Sequence, residues 1–172
     1  MAIRPIVRFG STVLHRPADP VDRVDEEIAA LVQDMTETMY AAPGIGLAAP
    51  QIGVPLRVIV IDLSVGKDPS QLIQLINPEL VEAEGSQRLE EGCLSIPGFE
   101  GAPTRPAKVV VRGTGLDGRN RELEATGLLA RAFSHEIDHI DGHLFVERLP
   151  PLKRSLALRR LHRRSREQGW AT

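Results

Sequence analysis

His135-Glu136-Ile137-Asp138-His139 sets two imidazoles at i and i+4. On a helix these positions lie about 40° apart, so both rings leave one face and can reach one metal ion. Glu136 sits about 100° round from His135. From there its carboxylate can address a water at the metal without taking a coordination position. The chemistry this pattern suits is metal-assisted hydrolysis, with Glu136 as proton carrier. Short matches of this kind also arise by chance, on helices whose histidines are satisfied by ordinary hydrogen bonds. A catalytic site needs a third ligand and an open position, and spacing leaves several candidates. His143 lies four residues on, past the helix stop at Gly142, and reads as a surface residue; His15 and His162 have no motif around them. Cys93 is the only cysteine, and a lone cysteine is commonly a small buried hydrophobe.

The motif requires a helix to carry it, and residues 127–141 supply one. Leu128 and Ala132 fall on the histidine face, with Arg131 at its edge. Leu129, Phe133, Ile137 and Ile140 fall on the other side and are expected in the core. Asp138 lies near the histidines, where it either orients one of them or is simply solvated or structural. A second amphipathic helix is expected over 25–40, from the spacing of Ile28, Leu31, Val32, Met35 and Met39, with Val24 stapled onto Ile28. A third follows Pro150-Pro151, with Leu152, Leu156, Leu158 and Leu161 as its apolar members. The β-branched run at 56–63 reads as a buried strand, and 72–77 and 107–112 as further strands. Asp117-Gly118 turns 107–112 back onto a strand near 121–125. Between 72–77 and 107–112 lies EEGCLSIPG (90–98), and after it a stretch rich in Gly and Pro reads as a loop up to Pro106. The expected architecture is α+β, with short strands packed around the 127–141 helix in one catalytic domain over 1–172.

The chain of 172 residues, 42% hydrophobic and 26% charged, has the balance of a globular protein with one core. Aromatics make up only 3%, which demands an aliphatic core and argues against a base-stacking platform. No apolar run approaches the roughly 20 residues needed to span a bilayer, so no membrane partner is expected. The opening MAIRPIVRFG lacks a secretory apolar stretch, and one cysteine makes no internal disulfide, so a cytoplasmic setting is expected. The net charge of −2 conceals an asymmetry. Residues 153–172 hold seven Lys/Arg against Glu167, for +6, and the remainder carries 14 against 22 acids, for −8. This basic tail suits either an anionic partner or a solvated helix whose cations complement its dipole.

Three segments carry a resemblance. GIGLAAPQ (44–51), EGCLS (91–95) and HEIDH (135–139) resemble the three signature motifs of the peptide deformylase family, in that family's order. The opening IRPIVRFGSTVLHRPA and the FVERLPPLKR stretch extend the similarity over nearly the whole chain. The resemblance implies antiparallel sheets around a central helix bearing the metal motif, with an N-terminal and a C-terminal helix. It implies that Cys93 joins His135 and His139 as metal ligand, with water in the fourth position. One divalent ion per chain is implied, usually Fe2+, with Zn2+, Ni2+ or Co2+ able to replace it. The implied reaction removes the formyl group from N-terminal formylmethionine of nascent polypeptides in the bacterial cytoplasm. Glu136 would act as general base and then acid, and the Gln51 amide and Leu94 backbone N–H would stabilise the oxyanion. The peptide would add as a strand between Ile45-Gly46 and Gly92, with its methionine in a pocket lined by Leu89, Glu91 and Leu128. The basic C-terminal helix would face the ribosome. Two positions depart from the pattern: Ser134 stands where many members carry Gln, and Arg131 where some carry an apolar residue. Two other readings compete: a zinc endopeptidase, which would leave Cys93 and Gln51 without a role, and a formyl-peptide or ribosome-binding module without activity, against which Glu136 counts.

Overall fold

The computed structural model describes residues 2–170. In chain order its elements are α1 (Glu26–Ala41), β1 (Gly46–Ala48), β2 (Val58–Ile61), β3 (Ile73–Glu84), β4 (Gln87–Arg88), β5 (Glu91–Cys93), β6 (Ile96–Gly101), β7 (Thr104–Arg105), β8 (Lys108–Thr114), β9 (Asn120–Thr126), α2 (Gly127–Ile140) and α3 (Pro151–Gln168). A five-stranded antiparallel sheet runs in the order β1-β2-β3-β8-β9. The ribbons β4–β7 and β5–β6 stand apart from it. The fold is α+β, as expected.

The sheet lies between two helices, which explains why 58–61 is apolar without a break. Val58 and Val60 face α1 and pack with Leu31, Val32, Met35 and Met39. Ile59 and Ile61 point the other way, into the cluster of Phe133, Ile137 and Ile140 from α2. A strand covered on both faces loses its alternation. Each buried aliphatic or aromatic side chain here contributes about 1.5–3 kcal/mol, so the α2 core face anchors the opposite, polar face of the same helix. Asp25 caps α1 by accepting the Ile28 N–H at 3.0 Å. At the far end of α2, the Ile140 carbonyl accepts both the Ala18 N–H at 2.8 Å and Arg57 Nη1 at 3.1 Å, so the last turn is not left without partners. Gly142 then stops the helix at φ 86°, and a Cβ there would stand 2.7 Å from the Arg16 backbone carbon.

Three expectations are corrected. The strand expected over 72–77 continues to Glu84. Asn77 adopts φ 53°, the register shifts between Ile76 and Glu79, and the strand resumes beyond the bulge. The Asn77 side chain is held by both backbone groups of Val21. The stretch expected to be loop, up to Pro106, holds the end of β6 and β7, short pairings that Gly and Pro content masked. On α3, Leu152 is 74% exposed and Leu156 also lies open, while Ala157, Leu161 and Ser165 form the buried stripe. Packing on Phe9, Ile96 and Phe145 selects that face, which keeps Leu161 and Leu158 of the expected apolar members. Among the described residues, no helix is long and apolar enough to cross a membrane.

Candidate metal centre and active site

The polar face of α2, the end of β5 and the segment around β1 converge on a cleft of about 540 Å³, lined among others by Gly44, Ile45, Gly46, Gln51, Cys93 and Glu136. At its floor the ligand atoms of Cys93, His135 and His139 all lie within 4.8 Å of one another. His139 Nε2 is 3.3 Å from Cys93 Sγ. His135 Nδ1 is 3.0 Å from Glu91 Oε1, which turns its Nε2 toward the cleft. A carboxylate holding one ring nitrogen while the other is free for a metal is the arrangement that orients histidine ligands. Spacing left the third ligand open among Cys93, His15, His143 and His162; only Cys93 comes to the pair. His143 instead stands beside Glu147 at 3.6 Å on the surface.

The donors fit a divalent transition metal. One thiolate and two imidazoles suit zinc and ferrous iron, and also nickel or cobalt. Burial and neighbouring charges shift the ionisable groups of the site in different directions. Burial pushes the Glu136 carboxyl up to about 7, with Oε2 lacking any hydrogen-bond partner. Burial also carries His139 well below its ordinary value, assisted by the charges of His135 and Arg105. At His135 burial acts downward, but the Cys93 sulfur and Glu91 carboxylate outweigh it and hold the ring well above its ordinary value.

Glu136 reaches the cleft over the backbone of Gly46. A Cβ at position 46 would lie 2.5 Å from Glu136 Oε1, so only glycine admits the carboxylate there. Gln51 is buried. Its Oε1 accepts the Ala48 N–H at 2.9 Å, and its Nε2 donates to Ser95 Oγ at 3.2 Å while standing 3.7 Å from Cys93 Sγ. The amide is thereby fixed with its donor end beside Cys93. Leu94 follows Cys93 at the turn into β6 and lines the cleft. Ile45 and Gly46 line one side, Gly92 the other, and Leu128, 44% exposed, stands at the mouth. Leu89, at 56% exposure, is outside the cleft lining.

This geometry is that of a known family. A family model described as polypeptide deformylase matches residues 3–155. The chain belongs to the polypeptide deformylase family. A peptide deformylase of Acidobacterium capsulatum is 52% identical over 170 residues, covering 99% of this chain and 100% of that one. The crystal structure of a peptide deformylase from Legionella pneumophila superposes with a TM-score of 0.88 at 45% identity, covering 98% of each chain. Another, from Synechococcus elongatus in complex with actinonin, gives 0.84 at 42% identity, covering 90% of this chain and 85% of that one.

Behind the cleft stands a network that the sequence did not reveal. Arg105, 3% exposed, donates from Nε and Nη2 to the two oxygens of Glu91 at 3.1 and 3.0 Å, and from Nη1 to Asp138 Oδ2 at 2.6 Å. Arg148 closes the far side on Asp138 at 2.9 and 3.2 Å. Burial acts to raise the Glu91 carboxyl, but the bonds from His135 and Arg105 prevail and hold it below its ordinary range. Asp138 therefore touches two arginines and no histidine, which favours the structural reading over one in which it orients a ligand ring. Glu91 has that contact. Glu91 borders the cleft, but its carboxylate is engaged by Arg105 and His135. No local motif marks Arg105, whose partners lie 14 and 33 residues away.

Proposed function

We propose that Cys93, His135 and His139 hold one divalent ion, with Fe2+ as the resident metal, and that Glu136, Gln51 and the Leu94 N–H carry out deformylation beside it. As a member of this family the chain is a metal-dependent hydrolase that removes the N-formyl group from newly synthesised polypeptides. The observation that carries the assignment of roles is the convergence of a Cys/His/His donor set, a buried carboxylate and a fixed amide donor on one cleft. When bound, the metal supplies Lewis acidity and lowers the pKa of its water from about 15.7 toward about 7.

Glu136 accepts the proton of the attacking water and returns it to the departing amine. Its freedom from other hydrogen bonds at Oε2 leaves that oxygen available for both transfers. Attack on the formyl carbon drives negative charge onto the formyl oxygen, and donors aimed at that position lower the barrier. The Gln51 Nε2 is oriented for this by the Ala48 N–H at its other end, and the Leu94 N–H is the second donor. The substrate backbone adds as a strand. Among the described residues β1 pairs only with β2, and β5 only with β6, so each has an unpaired edge, and Gly46 and Gly92 of these strands line the cleft. Main-chain pairing ignores side chains, which suits an enzyme that meets many nascent sequences. Leu128 and Glu91 border the methionine side chain, and Leu89 stands further out. Formate should be released from formyl-Met-Ala-Ser while casein is left intact; cleavage of casein without formate release would turn the reading to an endopeptidase.

Ferrous iron beside the Cys93 thiolate is open to peroxide attack. The iron form should lose activity in aerated buffer while the nickel form persists, and equal lifetimes would count against iron at a thiolate site.

In a bacterial cytoplasm the basic face of α3 would meet ribosomal RNA phosphates or an acidic ribosomal surface. Lys153, Arg154, Arg159, Arg160, Arg163 and Arg166 are exposed, whereas Arg164 donates to the Pro97 carbonyl at 3.1 Å. Deleting 158–172 would also remove buried Leu161, so charge is the cleaner variable. Arg159→Glu, Arg163→Glu and Arg166→Glu together should weaken ribosome co-sedimentation at low salt and spare turnover of free peptides. Binding that is insensitive to salt would contradict the electrostatic origin.

A further inference from the structure

We propose that Arg131 sets which first side chain the cleft accepts, by offering a cationic N–H to a hydrogen-bond acceptor near that side chain's end. Peptides beginning with formylated methionine sulfoxide then remain substrates. The proposal rests on the reading of this cleft as the methionine site.

Arg131 follows Leu128 by three residues on α2 and precedes His135 by four, so all three share one face. It lines the cleft, and its side chain is only 12% exposed. Its Nε is buried without a hydrogen-bond partner. The neighbouring carboxylate oxygen, Glu91 Oε2, is 4.0 Å away and already accepts from Arg105 Nε. Glu91 thus helps to balance the charge of Arg131 without using its donors. Leu128, Ala132 and Phe99 supply apolar surface in the same cleft, whose lining also includes Glu90, Glu91 and Glu100.

A cation in the cleft lining whose N–H groups are not spent on the protein selects for acceptors. Norleucine offers none, the methionine thioether a weak one, and the sulfoxide oxygen a strong one. An all-apolar pocket would reject the sulfoxide, because burying a polar group without a partner is costly. A site holding a charged donor removes that cost, and sites built to hydrogen-bond a substrate group discriminate strongly against its absence. Methionine oxidises readily to the sulfoxide, so this tolerance would keep oxidised chain starts within the enzyme's reach.

The test compares kcat/KM for formyl-Met(O)-Ala-Ser with that for formyl-norleucyl-Ala-Ser, on protein carrying one metal throughout. The sulfoxide-to-norleucine ratio should fall at least about tenfold in Arg131→Leu, with part of it restored in Arg131→Lys. An unchanged ratio in Arg131→Leu overturns the proposal. If that variant fails to fold, Arg131→Met keeps the bulk of the stem and is read the same way. Leu128→Asp separates this proposal from the reading beneath it. If it impairs turnover of the norleucine peptide at full metal content while the Arg131 ratio stays fixed, Arg131 alone is misassigned. If Leu128→Asp has no effect, the first side chain does not enter this cleft and both fall.

Discussion

Glu136→Gln should retain its metal, bind a metal-chelating hydroxamate almost normally, and release almost no formate. The substitution preserves size and hydrogen bonding but removes the base. The residue lies between two proposed ligands in sequence, yet it is rotated off their face and rests against Gly46, which has no Cβ to displace it. The metal and the proton carrier are therefore separable by mutation. Loss of general acid–base catalysis costs about 10²–10⁴-fold, and a group used twice per turnover belongs at the upper end. Cys93→Ala and His135→Ala should behave differently, losing metal and activity together. Metal content by elemental analysis, set beside single-turnover formate release, distinguishes the two classes. Retention of more than about a tenth of wild-type turnover by Glu136→Gln would remove the proton shuttle from the mechanism.

Arg105→Met should be the most destabilising single change near the site. It leaves Glu91 and Asp138 buried with their shared cation gone. Removing one partner of a buried ion pair costs about 3–5 kcal/mol. At this chain length each kcal/mol moves Tm by about 2–4 °C, so a fall of at least ~6 °C is expected. The same loss frees the Glu91 carboxylate from its fork and loosens His135, whose Nδ1 it holds. Metal affinity should fall roughly 10–100-fold, the usual effect of removing such outer support. Arg105→Lys keeps the charge but cannot form the fork to Glu91 and reach Asp138 together, so it should lie between. Unaltered melting and unaltered metal loss to a chelator in Arg105→Met would show the network to be incidental.

What the sequence made legible follows from how local each signal is. HEIDH lies within five consecutive residues of one helix, so helical geometry alone aligns its histidines and displaces Glu136. The same arithmetic put Phe133, Ile137 and Ile140 in the core, where they are buried. Cys93 was one candidate among several by spacing, and family resemblance alone made it the choice, because its approach to His139 depends on how β5 docks against α2. Arg105 carried no signal, since its two carboxylates come from β5 and α2 and meet only after folding. For Asp138 the choice between a histidine partner and a structural role stayed open, because helical spacing shows proximity along one helix and is blind to an arginine arriving from β7. On α3, counting leucines found Leu161 and Leu158 on the packed side but missed the small residues beside them. Ala157 and Ser165 are small enough to let the helix approach Phe9, and the Ser165 hydroxyl donates to the Phe9 carbonyl at 3.3 Å, while Leu152 and Leu156 remain in solvent.

The central claim is that one divalent metal in the Cys93/His135/His139 site drives removal of the formyl group. It is tested most directly by adding ferrous iron without oxygen to metal-free protein while formate release from formyl-Met-Ala-Ser is followed. Activity should rise in proportion to bound iron and level off at one equivalent per chain, with no such rise in Cys93→Ala. Undiminished formate release from fully metal-free protein, or an equal rise in Cys93→Ala, would contradict it.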